Sequence, residues 1–170
     1  MNVMETIIGR RSIRRFAGRE VPQEIVERIL EAGRWAPSGS NAQPWRFVVV
    51  RKRIRKIKMF SPGLDGDPSV LIVVSSDHSH VEDRTSRDFD CVTYMDIGIA
   101  AQNMMLEAHE LGLGSCPVRS FNQKAVQRIL ALPDETVPEL IITLGYPDEK
   151  PEAPPRKNLE EIVLYDDQRG

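Results

Sequence analysis

Only two cysteines occur in 170 residues, Cys91 and Cys116, and they do not form a CxxC pair. That spacing argues against both a zinc ribbon and a disulfide scaffold. The longest apolar runs, such as residues 48–50 and 70–74, fall far short of the roughly 20 residues that cross a bilayer. The opening MNVMETIIGRRSIRRF lacks the apolar stretch and small-residue cleavage site of a secretory signal, so the expectation is a cytoplasmic protein with reduced thiols. Neither sign of charge dominates: 23 Lys plus Arg stand against 25 Asp plus Glu, a net charge of -2. No whole-molecule field therefore drives binding to nucleic acid or to an anionic membrane, and neither partner is expected. Also missing are a GxGxxG after a strand, a GxSxG elbow, an HExxH pair and a Walker loop. Rossmann, hydrolase and nucleotide-triphosphatase readings lose their local support with them.

What the chain does contain is apolar material, 41% of its residues, enough for one core and so for one domain over residues 1–170. Residues 2–9 read as a short opening helix, and the charge-dense residues 10–15 as a surface turn. A longer helix starts at Pro22, whose fixed φ suits the first helical position. It carries Ile25, Val26, Ile29, Leu30 and Gly33 at spacings of three and four and ends near Trp35. Residues 47–50 and 69–75 read as strands near the middle of a sheet, the second rich in β-branched residues and covered on both faces. A short basic helix lies between them. A long helix over about 91–111 is apolar on most of its surface, with Met95, Ile99, Asn103, Leu106 and Glu110 marking one side. Gly112 and Gly114 stop it. Asn122 caps a helix reaching Leu130, and residues 140–144 form a third strand before a proline-rich tail. The order predicts an α+β fold, a sheet packed against helices, and disfavours a doubly wound unit.

Three segments carry candidate chemistry. Arg10, Arg11, Ser12, Arg14 and Arg15 gather guanidinium forks and a hydroxyl that match phosphate oxygens, although a solvated turn has the same composition. The loop 37–44 is more polar than a connection requires: Ser38, Ser40, Asn41 and Gln43 offer donors and acceptors beyond Pro37. Residues 114–120 join small residues to a helix end, where backbone N–H groups can approach a flat ligand. The basic run from Arg51 to Lys58 lacks interleaved aromatics and reads as a solvated helix face. His78 and His80, with Asp77, Glu82 and Asp83, form no specific metal-ligand pattern, and no metal is expected.

Taken in order, RRSIRRF, APSGSNAQPWRFVVV, DIGIAAQNMMLEAHELGLGSC and PRKNLEEIV resemble the nitroreductase-like family of FMN-dependent oxidoreductases over nearly the whole chain. The resemblance implies a mixed central sheet flanked by helices, a C-terminal extension, and a homodimer with FMN at its interface. It implies that Arg10 and Ser12 hold the flavin phosphate, that Arg11 runs along the ribityl chain, and that Arg14 reaches N1 and O2, where a guanidinium favours the reduced ring. Pro37, Ser38, Ser40, Asn41 and Gln43 would come from the other subunit. Cys116, Pro117, Val118 and Arg119 would pack beside the isoalloxazine, and Arg156 would return to the phosphate. The implied activity is hydride transfer from NADH or NADPH through FMN to a nitroaromatic, quinone or similar electron-poor small molecule, in a ping-pong cycle without a side-chain nucleophile. Alternatives are a flavin-fragmenting or dehalogenating branch of the family, and a non-enzymatic flavin- or nucleic-acid-binding module. Two departures stand out: residues 51–69 are shorter than in many relatives, and Val118, Arg119 and Ser120 replace a frequent glycine-rich turn. Arg119 there would favour an anionic acceptor or a nicotinamide phosphate.

Overall fold

The computed structural model describes residues 2–79 and 87–166, with the backbone alone for 87–92. His80, Glu82 and Asp83 lie outside the described residues, among which no group of three His, Cys, Asp or Glu side chains is arranged to hold a metal ion. Helix α1 (Val3–Gly9) opens with a capping box, the Asn2 side chain accepting from the Glu5 N–H at 2.9 Å while the Glu5 carboxylate accepts from the Asn2 N–H at 3.0 Å. Helix α2 (Gln23–Arg34) turns Val26, Ile29 and Gly33 inward, and Pro22 is its N-cap, one position outside the one expected. The chain continues through β1 (Trp45–Val50), α3 (Ile54–Lys58), β2 (Val70–Asp77), α4 (Arg87–Glu110), β3 (Gly114–Val118), α5 (Gln123–Leu130), β4 (Thr136–Gly145) and α6 (Leu159–Ile162).

The four strands pair antiparallel in the order β1-β2-β4-β3. β2 and β4 are central and β1 is an edge, which corrects the expectation that the first two strands share the middle. The parallel component of the sheet is an isolated bridge, Ser12 to Ser115. Residues 10–15 are therefore not a surface turn but an extended segment bridged to the outer edge of β3. The charges hide its anchor, Ile13, which is buried. β3 itself was not anticipated: its GSCPV carries little β propensity.

Both faces of the sheet are covered. Val70, Ile72 and Val74 of β2 pack with Val26 and Ile29 of α2 and Met104 and Ala108 of α4, whereas Leu71 and Val73 pack with Ile57 of α3 and Val126 of α5. Each Val, Leu, Ile and Met side chain among these, fully buried, contributes about 1.5–3 kcal/mol. Gly33 lets α2 approach α4, because a Cβ there would lie 2.9 Å from Met104 Cγ. Arg28 bridges the same two helices to Glu107 at 2.8 Å.

One face of α4 remains open. Tyr94, Met95 and Ile99 are exposed there, as are Val3, Met4, Ile7 and Ile8 of α1. Trp35 is 71% exposed yet pinned. Its indole N–H donates to Glu31 at 2.7 Å, and Arg34 lies over its ring at 4.8 Å. Hydrogen bonds from Arg34 and then Trp35 hold the Glu31 carboxyl at about 2. Val3, Trp35 and Leu106 line an apolar groove of about 510 Å³ on this face.

Candidate functional site

The RRSIRRF segment is seated by contacts that are remote in sequence. The Ile13 N–H donates to the Ser115 carbonyl at 2.9 Å. Gly114 lies under Ile13 and Gly145 under Phe16, so closely that a Cβ on either would come within 2.7 Å of the side chain above it. Gly66, at φ +68, admits the Arg14 carbonyl, which an added Cβ would meet at 1.8 Å. The N–H groups of Arg14 and Arg15 both donate to Glu149 Oε1, at 2.6 and 3.0 Å, and Arg15 Nε lies 3.5 Å from the other oxygen. Beyond the Ser12–Ser115 bridge the segment leaves β3 and crosses to the chain that follows β4: the Asp148 N–H donates to the Arg15 carbonyl at 3.0 Å, the Ala17 N–H to the Tyr146 carbonyl at 2.9 Å, and Phe16 bridges Pro147 antiparallel. The segment thus crosses the sheet where the start of β3 meets the end of β4, Gly114 being paired with Gly145.

At the Arg10 end lies a cavity of about 430 Å³ whose polar lining includes Arg10, Arg11, His109, Ser115 and Lys150. Such a volume is in the range of small-ligand pockets. Helix α4 is brought to this wall by a Schellman ending: Gly112 at φ +76 donates to the His109 carbonyl at 3.0 Å, and the Leu113 N–H to the Ala108 carbonyl at 2.8 Å. Arg11 Nη1 donates to the Ile8 and Arg10 carbonyls at 2.6 and 2.8 Å, neutralising the C-terminal end of α1. Its Nε is buried with no hydrogen-bond partner among the described residues, an orphaned donor of the kind that a bound anion satisfies. Burial, and then the neighbouring Arg10, push His109 below its ordinary value, with Glu110 pulling the other way. The carboxylate on the wall, Glu149, is held below the usual carboxylate range by the two backbone N–H donors.

A group whose folded pKa is depressed stabilises above its unfolded value, and that stability is lost as pH falls through the folded one. Glu149→Gln is expected to loosen the segment at neutral pH. It should also remove the part of acid destabilisation that sets in below the ordinary carboxylate range. Urea melts of both proteins from pH 7 to 3 check this, and parallel pH profiles would show that Glu149 does not lock the segment.

At the far end of β3, Pro117 and Arg119 face outward while Cys116 and Val118 are buried. The latter two therefore offer only their backbone to a ligand. The short 51–69 region closes this end as a wall: the Gly63 N–H donates to the Ser120 carbonyl at 3.3 Å, the Asn122 N–H to the Phe60 carbonyl at 2.8 Å, and Asp65 stands 3.9 Å from Arg14 Nε. Arg119, with 54% of its side chain exposed, lies 3.8 Å from the buried Glu139 carboxylate. Glu139 also accepts from Ser76 Oγ and Gln123 Nε2, each at 2.9 Å.

A family profile, that of the nitroreductase family, matches residues 7–62 and 58–146. The chain belongs to the nitroreductase family. A solved nitroreductase family protein from Clostridium difficile 630 is 35% identical, covers 98% of this chain and 99% of its own, and superposes with a TM-score of 0.84. An NADH dehydrogenase of Thermus thermophilus is 31% identical over 93% of both chains. An NADPH-flavin oxidoreductase of Vibrio harveyi is 28% identical over 98% of this chain and 74% of its own. As a nitroreductase family member the protein is an oxidoreductase.

Not every candidate of this nitroreductase reaches the same place. The loop 37–44 leads into β1, at the sheet edge opposite β3, roughly 14 Å away at about 4.8 Å per strand. Its Gly39 N–H donates to the Asp96 carboxylate at 3.2 Å, and Ser38 Oγ accepts from the Gln43 N–H at 2.9 Å. Ser40, Asn41 and Gln43 all have positive φ, 48, 56 and 49, a concentration of backbone strain that accompanies functional loops. Arg156 is exposed in the tail and Lys150, not Arg156, lines the cavity. The basic run is partly absorbed by structure, with Arg53 donating to the Ile129 carbonyl at 2.5 Å and Lys58 to the Gly66 carbonyl at 2.6 Å. Sequence reading missed His109, Lys150 and Gly66, for which no local signal exists.

Proposed function

We propose that this nitroreductase is an FMN-dependent NAD(P)H oxidoreductase, acting as a homodimer on a nitroaromatic, quinone or similar electron-poor small molecule. The observation that carries the reading is the basic cavity lined by Arg10, Arg11, His109 and Lys150, beside the Ser12–Ser115 bridge that seats the segment on β3. Arg10 and Lys150 on the cavity wall, with the orphaned Arg11 Nε, suit a phosphate, and Ser12, which is not among the lining residues, is assigned to it within the same proposal. Arg14 suits the pyrimidine edge of a flavin ring, and the backbone of residues 116–119 its flat face. Bound FMN would supply the hydride relay between nicotinamide donor and acceptor. Arg119 is assigned within the same proposal to an anionic acceptor or a nicotinamide phosphate.

Homodimerisation is supported by two features. The exposed apolar face of α1, Trp35 and α4 needs a cover, and the strained loop 37–44 stands too far from its own β3 to serve the site in the same chain. A second copy supplies both, bringing Pro37, Ser38, Ser40, Asn41 and Gln43 from outside; Arg156 is assigned to the phosphate within the same proposal. No described helix is long and apolar enough to cross a membrane, and a cytoplasmic location is part of this reading.

The test is the visible spectrum of the purified protein, chromatographic identification of any flavin released, anaerobic addition of NADH and of NADPH, and sedimentation. Bound FMN, bleaching by at least one donor and a dimeric mass are expected. A colourless protein that refuses added FMN would remove the site, and FMN that neither donor bleaches would remove the oxidoreductase cycle.

A further inference from the structure

His109 is the group at this site that neither the motifs nor the family resemblance uses. It sits in the last turn of α4, on the wall of the basic cavity, packed so tightly on α1 that a Cβ at Gly9 would lie 2.7 Å from its Nε2. The charged groups around it are Arg10 and Arg11 from the extended segment, Glu110 on its own helix, and Lys150 and Glu149 from the tail that lines the same cavity. Glu149 is already committed to the Arg14 and Arg15 backbone. Before an anion enters, cations outweigh anions around the imidazole, and burial adds to the cost of charging it.

A phosphomonoester reverses that field, because it brings about -1.5 to -2 of charge near neutral pH. We propose that His109 is a proton-linked member of the phosphate grip, taking up a proton from solvent as the FMN phosphate enters the cavity and returning it as the phosphate leaves. The inference rests on the flavin reading above. Its consequence is that cofactor retention is coupled to pH through a side chain remote from the flavin ring. The sign is set by linkage: a ligand that favours the imidazolium binds more tightly as pH falls, and its binding consumes protons.

FMN is titrated into the full-length apoprotein by calorimetry in two buffers of different ionisation enthalpy, with the wild type and His109→Gln compared from pH 8 to 6. The wild type is expected to take up a fraction of a proton more than the variant near pH 7. Its affinity advantage over the variant should grow about tenfold across that range. The second ionisation of the phosphate, near pH 6, is common to both proteins and cancels in the comparison. Riboflavin, which has no phosphate, should show no such advantage. Gly9→Ala, which crowds Nε2 without removing the imidazole, is expected to reduce the proton uptake and provides a second route should His109→Gln fold poorly.

Equal proton uptake and a flat affinity ratio would overturn the role of His109 while leaving FMN binding intact. The same advantage with riboflavin would show that the histidine acts away from the phosphate, which also overturns it. Absence of FMN binding in the wild type at every pH would overturn the flavin reading itself, and the inference with it.

Discussion

Replacing Gly66 with alanine is expected to cost about 3 kcal/mol or more of unfolding free energy, and to empty the site of most of its flavin. Gly18→Ala is the control, since both glycines have φ +68. An alanine in the left-handed region costs about 1–2 kcal/mol at either position. At Gly18 nothing lies within 4 Å of the added Cβ, whereas at Gly66 it would stand 1.8 Å from the Arg14 carbonyl oxygen. Backbone cannot swing aside as a side-chain tip can, so the loop or the RRSIRRF segment must move. Against a total stability of about 5–15 kcal/mol the difference is large. Urea unfolding of the two variants and flavin content after purification measure it. Equal losses would mean that the 61–67 loop yields freely and that Arg14 does not depend on it.

Arg10→Ala and Arg14→Ala are expected to separate binding from redox tuning. Removing a charge-assisted hydrogen bond to a phosphate costs about 1.5–3 kcal/mol, so Arg10→Ala should weaken FMN binding roughly 10- to 150-fold and leave the potential nearly unchanged. Arg14 makes a loose contact with Asp65, at 3.9 Å between half-exposed side chains, which leaves its guanidinium largely uncompensated. Its removal should lower the two-electron potential by some tens of millivolts, since about 30 mV corresponds to 1.4 kcal/mol for such a couple. Fluorescence titration and a redox titration of each variant decide the matter. If both substitutions change affinity and potential alike, the segment does not span the site from phosphate to ring.

The elements legible from the sequence are those whose signals are local. Helix α2 shows in the spacing of Val26, Ile29 and Gly33, and α5 in the Asn122 cap, whose side chain accepts from the Ala125 N–H at 2.9 Å. β2 shows in an apolar run rich in β-branched residues, buried along nearly its whole length. β3 does not show, because glycine, serine, cysteine and proline form a strand there only through pairing with β4, as Cys116 with Thr143. Nor does the seat of residues 10–15, whose one apolar anchor, Ile13, is outnumbered by arginines.

The candidate site divides in the same way. RRSIRRF and the 37–44 loop are recognisable as motifs, and their chemistry, guanidinium forks and dense polar donors, follows from composition. Their relation in space does not. The Ser12–Ser115 bridge, the approach of Gly66 to Arg14, the convergence of His109 and Lys150 on Arg10, and the position of the loop at the opposite sheet edge all join residues far apart in the chain. By itself the sequence determined helices α1 to α5 and the doubly covered strand, because caps and periodicity act within a few residues. Only the tertiary structure decided that residues 10–15 meet β3 beside the basic cavity and that the 37–44 loop stands at the opposite sheet edge, because strand order and close backbone approach are settled by contacts across the whole fold.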